Sequence, residues 1–226
     1  MKHNILIVAA HPDDEILGCG GTVARLIKEG HAAYTLLLGE GVTSRDEERD
    51  PKKRGKEINS LRNQAQQANA ALGVKEVFIH SFPDNRFDTV PLLDIVKVIE
   101  KTKEKVKPAL VFTHYANDLN IDHRITCAAV LTATRPVLDE TVKEIYSFEV
   151  PSSTEWNYPL SFSPNVYFDI SQTIDVKLQA IKQYVSEIKE PPHPRSQEGV
   201  ELNARMWGMK VGLGYAEAFT CVRRLA

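Results

Sequence analysis

The chain has 226 residues, with 28 lysines and arginines against 30 aspartates and glutamates and a net charge of −2. Neither sign of charge forms a long block, so neither nucleic acid nor an anionic membrane is expected as a partner. The length suits one α/β domain over residues 1–226, whose core needs no disulfide or structural metal. Cys19, Cys127 and Cys221 are widely spaced among small or apolar neighbours, which predicts buried thiols in a reducing compartment.

The sequence also argues against membrane insertion and export. No apolar run approaches the length that spans a bilayer. Met1 to Asn4 leads straight into an apolar strand, without an export segment or a small-residue cleavage site. We therefore expect a cytoplasmic protein, and leave open whether its copies form a homo-oligomer.

The first predicted element is the unbroken apolar run from Ile5 to Ala10, which is short and rich in β-branched residues. This pattern is typical of a strand buried on both faces of a parallel sheet. The run stops at the polar sequence His11-Pro12-Asp13-Asp14-Glu15. Because ligand sites in open α/β sheets lie just beyond the carboxyl ends of such strands, these side chains are candidates for chemistry.

The residue types in this turn suit a divalent metal, since imidazole nitrogen and carboxylate oxygen are both good zinc ligands. His11 and Asp14 would supply two ligands, and Asp13 would be free to act as a base on water. A third ligand is then expected from a distant histidine at another strand end. The alternative is a plain helix start, because proline and carboxylates both favour the first turn of a helix.

A glycine-rich turn is expected at residues 18–21, followed by an amphipathic helix from Thr22 that stops at Gly30. Such a turn raises a nucleotide-binding Rossmann enzyme as an alternative. The glycines come too late after the strand, however, and the three acids at 13–15 would repel a pyrophosphate. We therefore assign to Gly20 and Gly21 the close packing of the helix against the sheet.

Predicted strands and helices alternate along the rest of the chain. Further strands are expected at 31–38, 76–80, 108–113, 144–150 and 166–170, and helices at 58–72, 91–105, 124–134, 171–189 and 198–211. Polar loops fill residues 39–56 and 82–88, and residues 151–164 are expected to cross the active edge of the sheet. The β–α–β alternation predicts a single-domain, Rossmann-like, doubly wound and mostly parallel sheet flanked by helices.

The strand at 108–113 ends in a second polar cluster, which supplies the distant histidine that the first cluster requires. This histidine is His123, and the helix that follows would hold it rigidly in its first turn. His114 and Asp118 precede it in the same cluster and are candidates to bind substrate. Arginine is the preferred bidentate partner of phosphate, so the further candidates to hold a polar substrate are Arg45, Arg62, Arg86 and Arg195. The alternative for each arginine is an ordinary surface charge.

With both clusters in view, the chain resembles the PIG-L/LmbE-like zinc-dependent N-deacetylases. The resemblance covers nearly the whole length and rests on the motifs His11-Pro12-Asp13-Asp14-Glu15, Asp122-His123 and Tyr215-Ala216-Glu217-Ala218-Phe219. It implies an amidohydrolase that removes acetate from an N-acetylglucosamine-type sugar, including nucleotide-linked forms, and leaves the free amine.

The resemblance also implies roles for four residues. His11, Asp14 and His123 would be ligands of Zn²⁺ or another divalent transition metal, and Asp13 would be the general base. This agrees with the ligand chemistry given above for the first cluster.

One position departs from the family pattern, in which a histidine three residues before the ligand histidine stabilises the oxyanion. Asn120 stands there, and a neutral amide cannot become an imidazolium. We predict that His193, locked between Pro192 and Pro194, takes over this catalytic role, with His114 as the competing candidate. The alternative is that the prolines only turn the chain and His193 is solvated.

The missing histidine also allows a non-catalytic sugar-binding protein with the same fold. Asp13 argues against this alternative, because a protein that only binds sugar has no need of an acid beside the metal.

Overall fold

Seven strands form one sheet in the computed structural model of the chain, which describes residues 2–225. The strands are β1 (Asn4–Ala9), β2 (Ala32–Gly39), β3 (Glu76–Phe82), β4 (Leu110–His114), β5 (Glu144–Phe148), β6 (Val166–Asp169) and β7 (Ala216–Arg224). The helices are α1 (Asp14–Lys28), α2 (Gly55–Leu72), α3 (Leu92–Val106), α4 (Ile121–Ala133), α5 (Ile174–Ile181) and α6 (Gln197–Lys210). Short 3₁₀ turns lie at Thr43–Arg45, Phe87–Thr89 and Thr154–Trp156.

The strand order is β3-β2-β1-β4-β5-β7-β6. All pairs from β3 to β5 are parallel, and β7 runs antiparallel to both of its neighbours. The chain moves outward from β1 to β3 and then returns to the other side of β1 with β4. A crevice is therefore expected where the carboxyl ends of β1 and β4 diverge. The predicted α/β, doubly wound fold is confirmed.

The central strand β1 is buried on both faces, as its apolar run predicts. Ile5 and Ile7 join the core layer that includes apolar residues of α1, α2 and α5. Leu6 and Val8 join the opposite layer, with apolar residues of α3 and α4. All four side chains are at most 1% exposed. Within residues 2–225, no helix is long and apolar enough to cross a membrane.

The predicted glycine-rich turn is wrong, because α1 already begins at Asp14 and residues 18–21 lie within it. A Cβ on Gly18 would lie 2.2 Å from Phe148 Cδ2, and one on Gly21 would lie 2.8 Å from Ile170 Cδ1. These two glycines let the helix approach the sheet closely. The glycines predicted a turn before the helix because glycine has a low intrinsic helix propensity. Packing against the sheet outweighs that propensity here.

The helix predicted at 171–189 is shorter than expected, since α5 covers only Ile174–Ile181. The residues after it form turns, and one of them, Tyr184, is fully buried with its hydroxyl on the Glu15 carboxylate. An extended helix was predicted because the apolar spacing continues, but the chain turns to bring this tyrosine into the core.

We expect Gly18→Ala to destabilise the fold by about 1–3 kcal/mol, because the added methyl overlaps the Phe148 ring. Urea unfolding measures this change. Gly55→Ala in α2 is the control, since a Cβ there meets nothing within 4 Å, and we expect unchanged or slightly higher stability. An unchanged urea midpoint for Gly18→Ala would contradict the close packing of α1.

Candidate functional site

The carboxyl ends of β1 and β4 bring the two polar clusters together. His11 follows β1, Asp14 opens α1, and His123 lies in the first turn of α4. Each of the three offers one ligand atom, and these atoms all lie within 4.8 Å of one another. The two residues predicted from the first cluster and the distant histidine thus form one buried group, here called the triad.

The triad fits a divalent metal. Asp14 Oδ1 and His123 Nε2 are buried and have no hydrogen-bond partner among the described residues. Polar atoms are rarely left in this state, because burial without a partner costs free energy. Two imidazoles and one carboxylate are also a donor set of catalytic zinc sites. Burial alone would raise the pKa of Asp14, but the neighbouring His123 and His11 hold that pKa well below its ordinary value.

Two further carboxylates orient the imidazoles of the triad. Asp122 Oδ2 lies 3.0 Å from His11 Nε2, so His11 turns Nδ1 towards Asp14, 3.3 Å from Oδ2. Asp118 Oδ1 lies 3.1 Å from His123 Nδ1, which leaves Nε2 facing Asp14. Carboxylates placed behind ligand histidines in this way fix the ring orientation and tautomer.

Asp13 is held in an unusual backbone conformation beside the triad, with φ at 110°. A non-glycine residue in such a region costs about 1–3 kcal/mol and persists only when its surroundings impose it. Its Oδ2 accepts a hydrogen bond from Arg195 Nη1 at 3.1 Å. Burial raises the pKa of Asp13 well above its ordinary value, although the Arg195 guanidinium acts in the opposite direction.

A small polar pocket of about 170 Å³ opens over these groups. Its lining comes from the triad turn, the loops after β2, β3 and β4, and two later segments, and comprises His11, Pro12, Asp13, Asp14, Gly41, Ser44, Arg45, Asp84, Asn85, Asn120, Glu187 and Arg195. The pocket therefore joins the candidate metal ligands to loop residues that can contact a substrate.

The model of the family described as PIG-L: GlcNAc-PI de-N-acetylase matches residues 6–134 of this chain. The chain belongs to the PIG-L family. The matched range contains both polar clusters, and the resemblance predicted from them is confirmed.

Relatives of this PIG-L protein include named deacetylases. Uncharacterized deacetylase YaiS of Escherichia coli (strain K12) is 28% identical over 191 residues, which cover 82% of this chain and 92% of the relative. Diacetylchitobiose deacetylase of Thermococcus kodakarensis is 26% identical over 229 residues, which cover 96% of this chain and 82% of the relative.

A solved structure with the same fold carries a different reaction name. The 4-carboxy-2-hydroxymuconate hydratase of Pseudomonas putida KT2440 has a TM-score of 0.77 and 20% identity, and the match covers 100% of this chain and 98% of that one. The likeness is one of fold alone. The reaction must therefore be argued from the site residues.

The four arginines predicted to bind substrate have different surroundings. Arg45 lines the pocket, but its Nη2 lies 2.6 Å from Glu187 Oε1 in an ion pair. Arg62 donates to Ser81 away from the pocket, and Arg86 is exposed outside it. Arg195 lines the pocket and contacts Asp13.

Three other predicted residues lie outside the pocket. The half-buried ring of His193 packs against Trp156, and its Nδ1 accepts from the N–H of Arg195. The proline-rich turn therefore directs Arg195 into the site and His193 away from it, so this placement does not support an oxyanion role for His193. His114 and Asp118 are fully buried behind His123, where both contact its ring and neither lines the pocket.

Asn120 lies at the pocket and also begins α4. Its Oδ1 accepts from the N–H of Asp122 at 2.8 Å, and its Nδ2 donates to Asn85 at 2.8 Å. The side chain thus caps the helix that carries His123.

Sequence reasoning missed the roles of Asp84, Asp122 and Glu187. Asp84 Oδ1 lies 3.3 Å from His11 Nε2, and these two residues with Asp122 form a second group of possible metal ligands around the same histidine. Asp84 lies in the polar loop after β3, and the polarity of that loop was the one feature of the sequence that could have indicated its role. Glu187 lies in a stretch that was predicted to be helical, where nothing indicated a site.

We expect Asp118→Asn and Asp122→Asn each to weaken zinc binding about 10- to 100-fold, because each change removes the carboxylate that orients a ligand histidine. Competition with a chelator measures the affinity. The exposed Asp88→Asn is the control and should leave affinity unchanged. Unaltered zinc affinity in both buried variants would contradict the assignment of the two histidines as ligands.

Proposed function

We propose that this chain is a zinc-dependent N-deacetylase, which hydrolyses the acetamide of an N-acetylglucosamine-type sugar to acetate and the free amine. Membership of the PIG-L family and the named deacetylase relatives support amide hydrolysis. The observation that carries the proposal is the buried triad of His11, Asp14 and His123 with Asp13 beside it. Zinc in the triad would supply Lewis acidity towards the acetamide carbonyl and lower the pKa of the attacking water.

Asp13 is the group placed to move the proton. It lines the pocket, and burial raises its pKa well above the ordinary value, which makes its carboxylate a stronger base. In this proposal Asp13 accepts a proton from water as the water oxygen bonds to the acetyl carbon. It then returns that proton to the nitrogen as the carbon–nitrogen bond breaks, so that the sugar leaves as an amine.

Arg195 is the best placed donor for the negative charge that develops on the acetamide oxygen. It lines the pocket and donates through Nη1 to Asp13 and through Nε to the carbonyl of Pro151, at 3.2 Å. Its permanent charge compensates for the imidazolium that Asn120 cannot provide. Asn120 has a single amide hydrogen beyond its bond to Asn85, and we assign it a secondary part.

Two alternatives are disfavoured by particular observations. A nucleotide-binding Rossmann enzyme needs a glycine turn that cradles phosphate, but Gly18 and Gly21 lie inside α1 and face the sheet. A non-catalytic sugar-binding protein has no use for a strained, buried carboxylate beside the triad, yet Asp13 has both properties.

The charge of the pocket favours a substrate without a phosphate group. Arg45 is paired with Glu187, Arg195 is paired with Asp13, and Arg86 lies outside the pocket. A bound phosphate would have to break one of these ion pairs or lie close to the carboxylates of the pocket, which repel it. We therefore propose a neutral acetamido sugar in preference to the nucleotide-linked form.

We expect Asp14→Ala and Asp13→Asn to separate metal binding from turnover. Asp14→Ala should lose zinc, because it removes one of three ligands. Asp13→Asn should keep zinc but lower turnover about 10²- to 10⁴-fold, because an amide cannot accept the proton. Metal analysis and acetate release measure the two effects. Normal turnover by Asp13→Asn would show that another residue is the base.

A substrate panel tests the charge of the sugar. Zinc-loaded protein should release acetate from N-acetylglucosamine or its β-linked disaccharide at least as fast as from the nucleotide-linked sugar, because no unpaired arginine lines the described pocket. A tenfold preference for the nucleotide-linked form, lost in Arg45→Gln, would instead assign phosphate binding to Arg45.

A further inference from the structure

A buried glutamate contacts the backbone of Asp13 and takes no part in the chemistry proposed above. Glu15 is 2% exposed, and its Oε2 accepts a hydrogen bond from the N–H of Asp13 at 3.0 Å. Its Oε1 accepts from the hydroxyl of Tyr184 and from Asn69 Nδ2, the latter at 2.8 Å. Three donors thus converge on one carboxylate inside the core.

Separate elements hold these donors in place. Tyr184 is fully buried in the turn after α5, and Asn69 lies in α2. Asn69 Oδ1 in turn accepts from the hydroxyl of Thr35 in β2, at 2.6 Å. The hydrogen bonds therefore run without interruption from β2, from α2 and from the turn after α5 to the turn that carries Asp13.

We propose that Glu15 is a positioning residue that binds the N–H of Asp13 and thereby holds the general base in its strained conformation at the pocket. This inference rests on the proposed function, because it takes Asp13 as the base. The N–H of Asp13 precedes α1 and has no helical partner, so the carboxylate both satisfies it and fixes the φ of 110°.

A carboxylate is the group that three converging donors require, because both of its oxygens accept hydrogen bonds and neither donates one. An amide in its place would direct N–H groups at one or more donors. Glu15→Gln should therefore loosen the contact with Asp13 while it changes little in size.

A second buried carboxylate provides a matched control for the stability of α1. Glu217 accepts from the N–H groups of Gly21 and Thr22, at 3.0 and 2.7 Å, farther along the same helix. It has no contact with Asp13 among the described residues. If Glu15 only stabilised the helix, Glu15→Gln and Glu217→Gln would affect activity alike.

The test is a double-mutant cycle on acetate release by the zinc-loaded protein. We expect Glu15→Gln to lower kcat about 10- to 100-fold with a smaller change in KM and unchanged zinc content, because the base is displaced. In the Asp13→Asn background the same change should alter kcat by no more than about twofold, because the group on which it acts is gone. Glu217→Gln should lower the melting temperature and leave kcat within about twofold of wild type.

The proposal is overturned if the losses of kcat in Glu15→Gln and Asp13→Asn multiply in the double variant. It is also overturned if Glu217→Gln loses as much kcat as Glu15→Gln. If Glu15→Gln does not fold, Tyr184→Phe removes one donor from the carboxylate, and the same cycle with Asp13→Asn applies to it. Amide hydrogen exchange gives a readout free of activity, since the proposal requires a protected Asp13 N–H in wild type, and rapid exchange would refute it. If the wild-type protein releases no acetate, the proposed function is refuted. Hydrogen exchange at the Asp13 N–H would still show whether Glu15 binds that group.

Discussion

Carboxylates and imidazoles are buried together at the end of this sheet, and opposite charges must therefore neutralise one another. Asp14, Asp118, Asp122 and His123 are all fully buried. An isolated charge in that position would cost far more free energy than a small domain can offset. The β1–α1 turn and the start of α4 meet at distances of 3.0–3.3 Å between acids and rings, which satisfies this requirement.

His114 has a different part in the same cluster. Burial lowers its pKa well below the ordinary value, and its Nε2 accepts from the N–H of Ala10 at 2.8 Å. Its ring stacks on His123 with centroids 4.0 Å apart. His114 thus acts as a neutral support, which keeps the second histidine in register with the end of β1 without adding a charge.

Helix α1 connects the turn after β1 to the rest of the molecule. Its first turn carries Asp14 and Glu15, and farther along it contacts the buried ion pair of Lys177 and Glu217. Lys177 donates to the carbonyl of Leu17, at 2.7 Å, while Glu217 accepts from two backbone N–H groups. The helix is thereby fixed against α5 and β7 as well as the sheet.

The loops decide what the pocket can accept. Ser44 donates to Asp84, and Arg45 pairs with Glu187, so residues far apart in sequence close the rim around the triad. Because each arginine at the rim already has an acidic partner, the pocket presents hydrogen-bonding groups more than free positive charge. This arrangement supports the neutral sugar proposed above as substrate.

Local patterns were sufficient to predict the doubly wound sheet and to name His11, Asp14 and His123 as one group, because apolar periodicity and strand ends depend on neighbouring residues. They failed where the outcome depends on pairs distant in sequence. Arg195 and Asp13 are 182 positions apart, and Arg45 and Glu187 are 142 apart. Only the folded chain could decide that Arg195 rather than His193 enters the pocket, and that the glycines of α1 face Phe148 and Ile170 instead of opening a turn, because sequence spacing does not encode which side chains meet across the core.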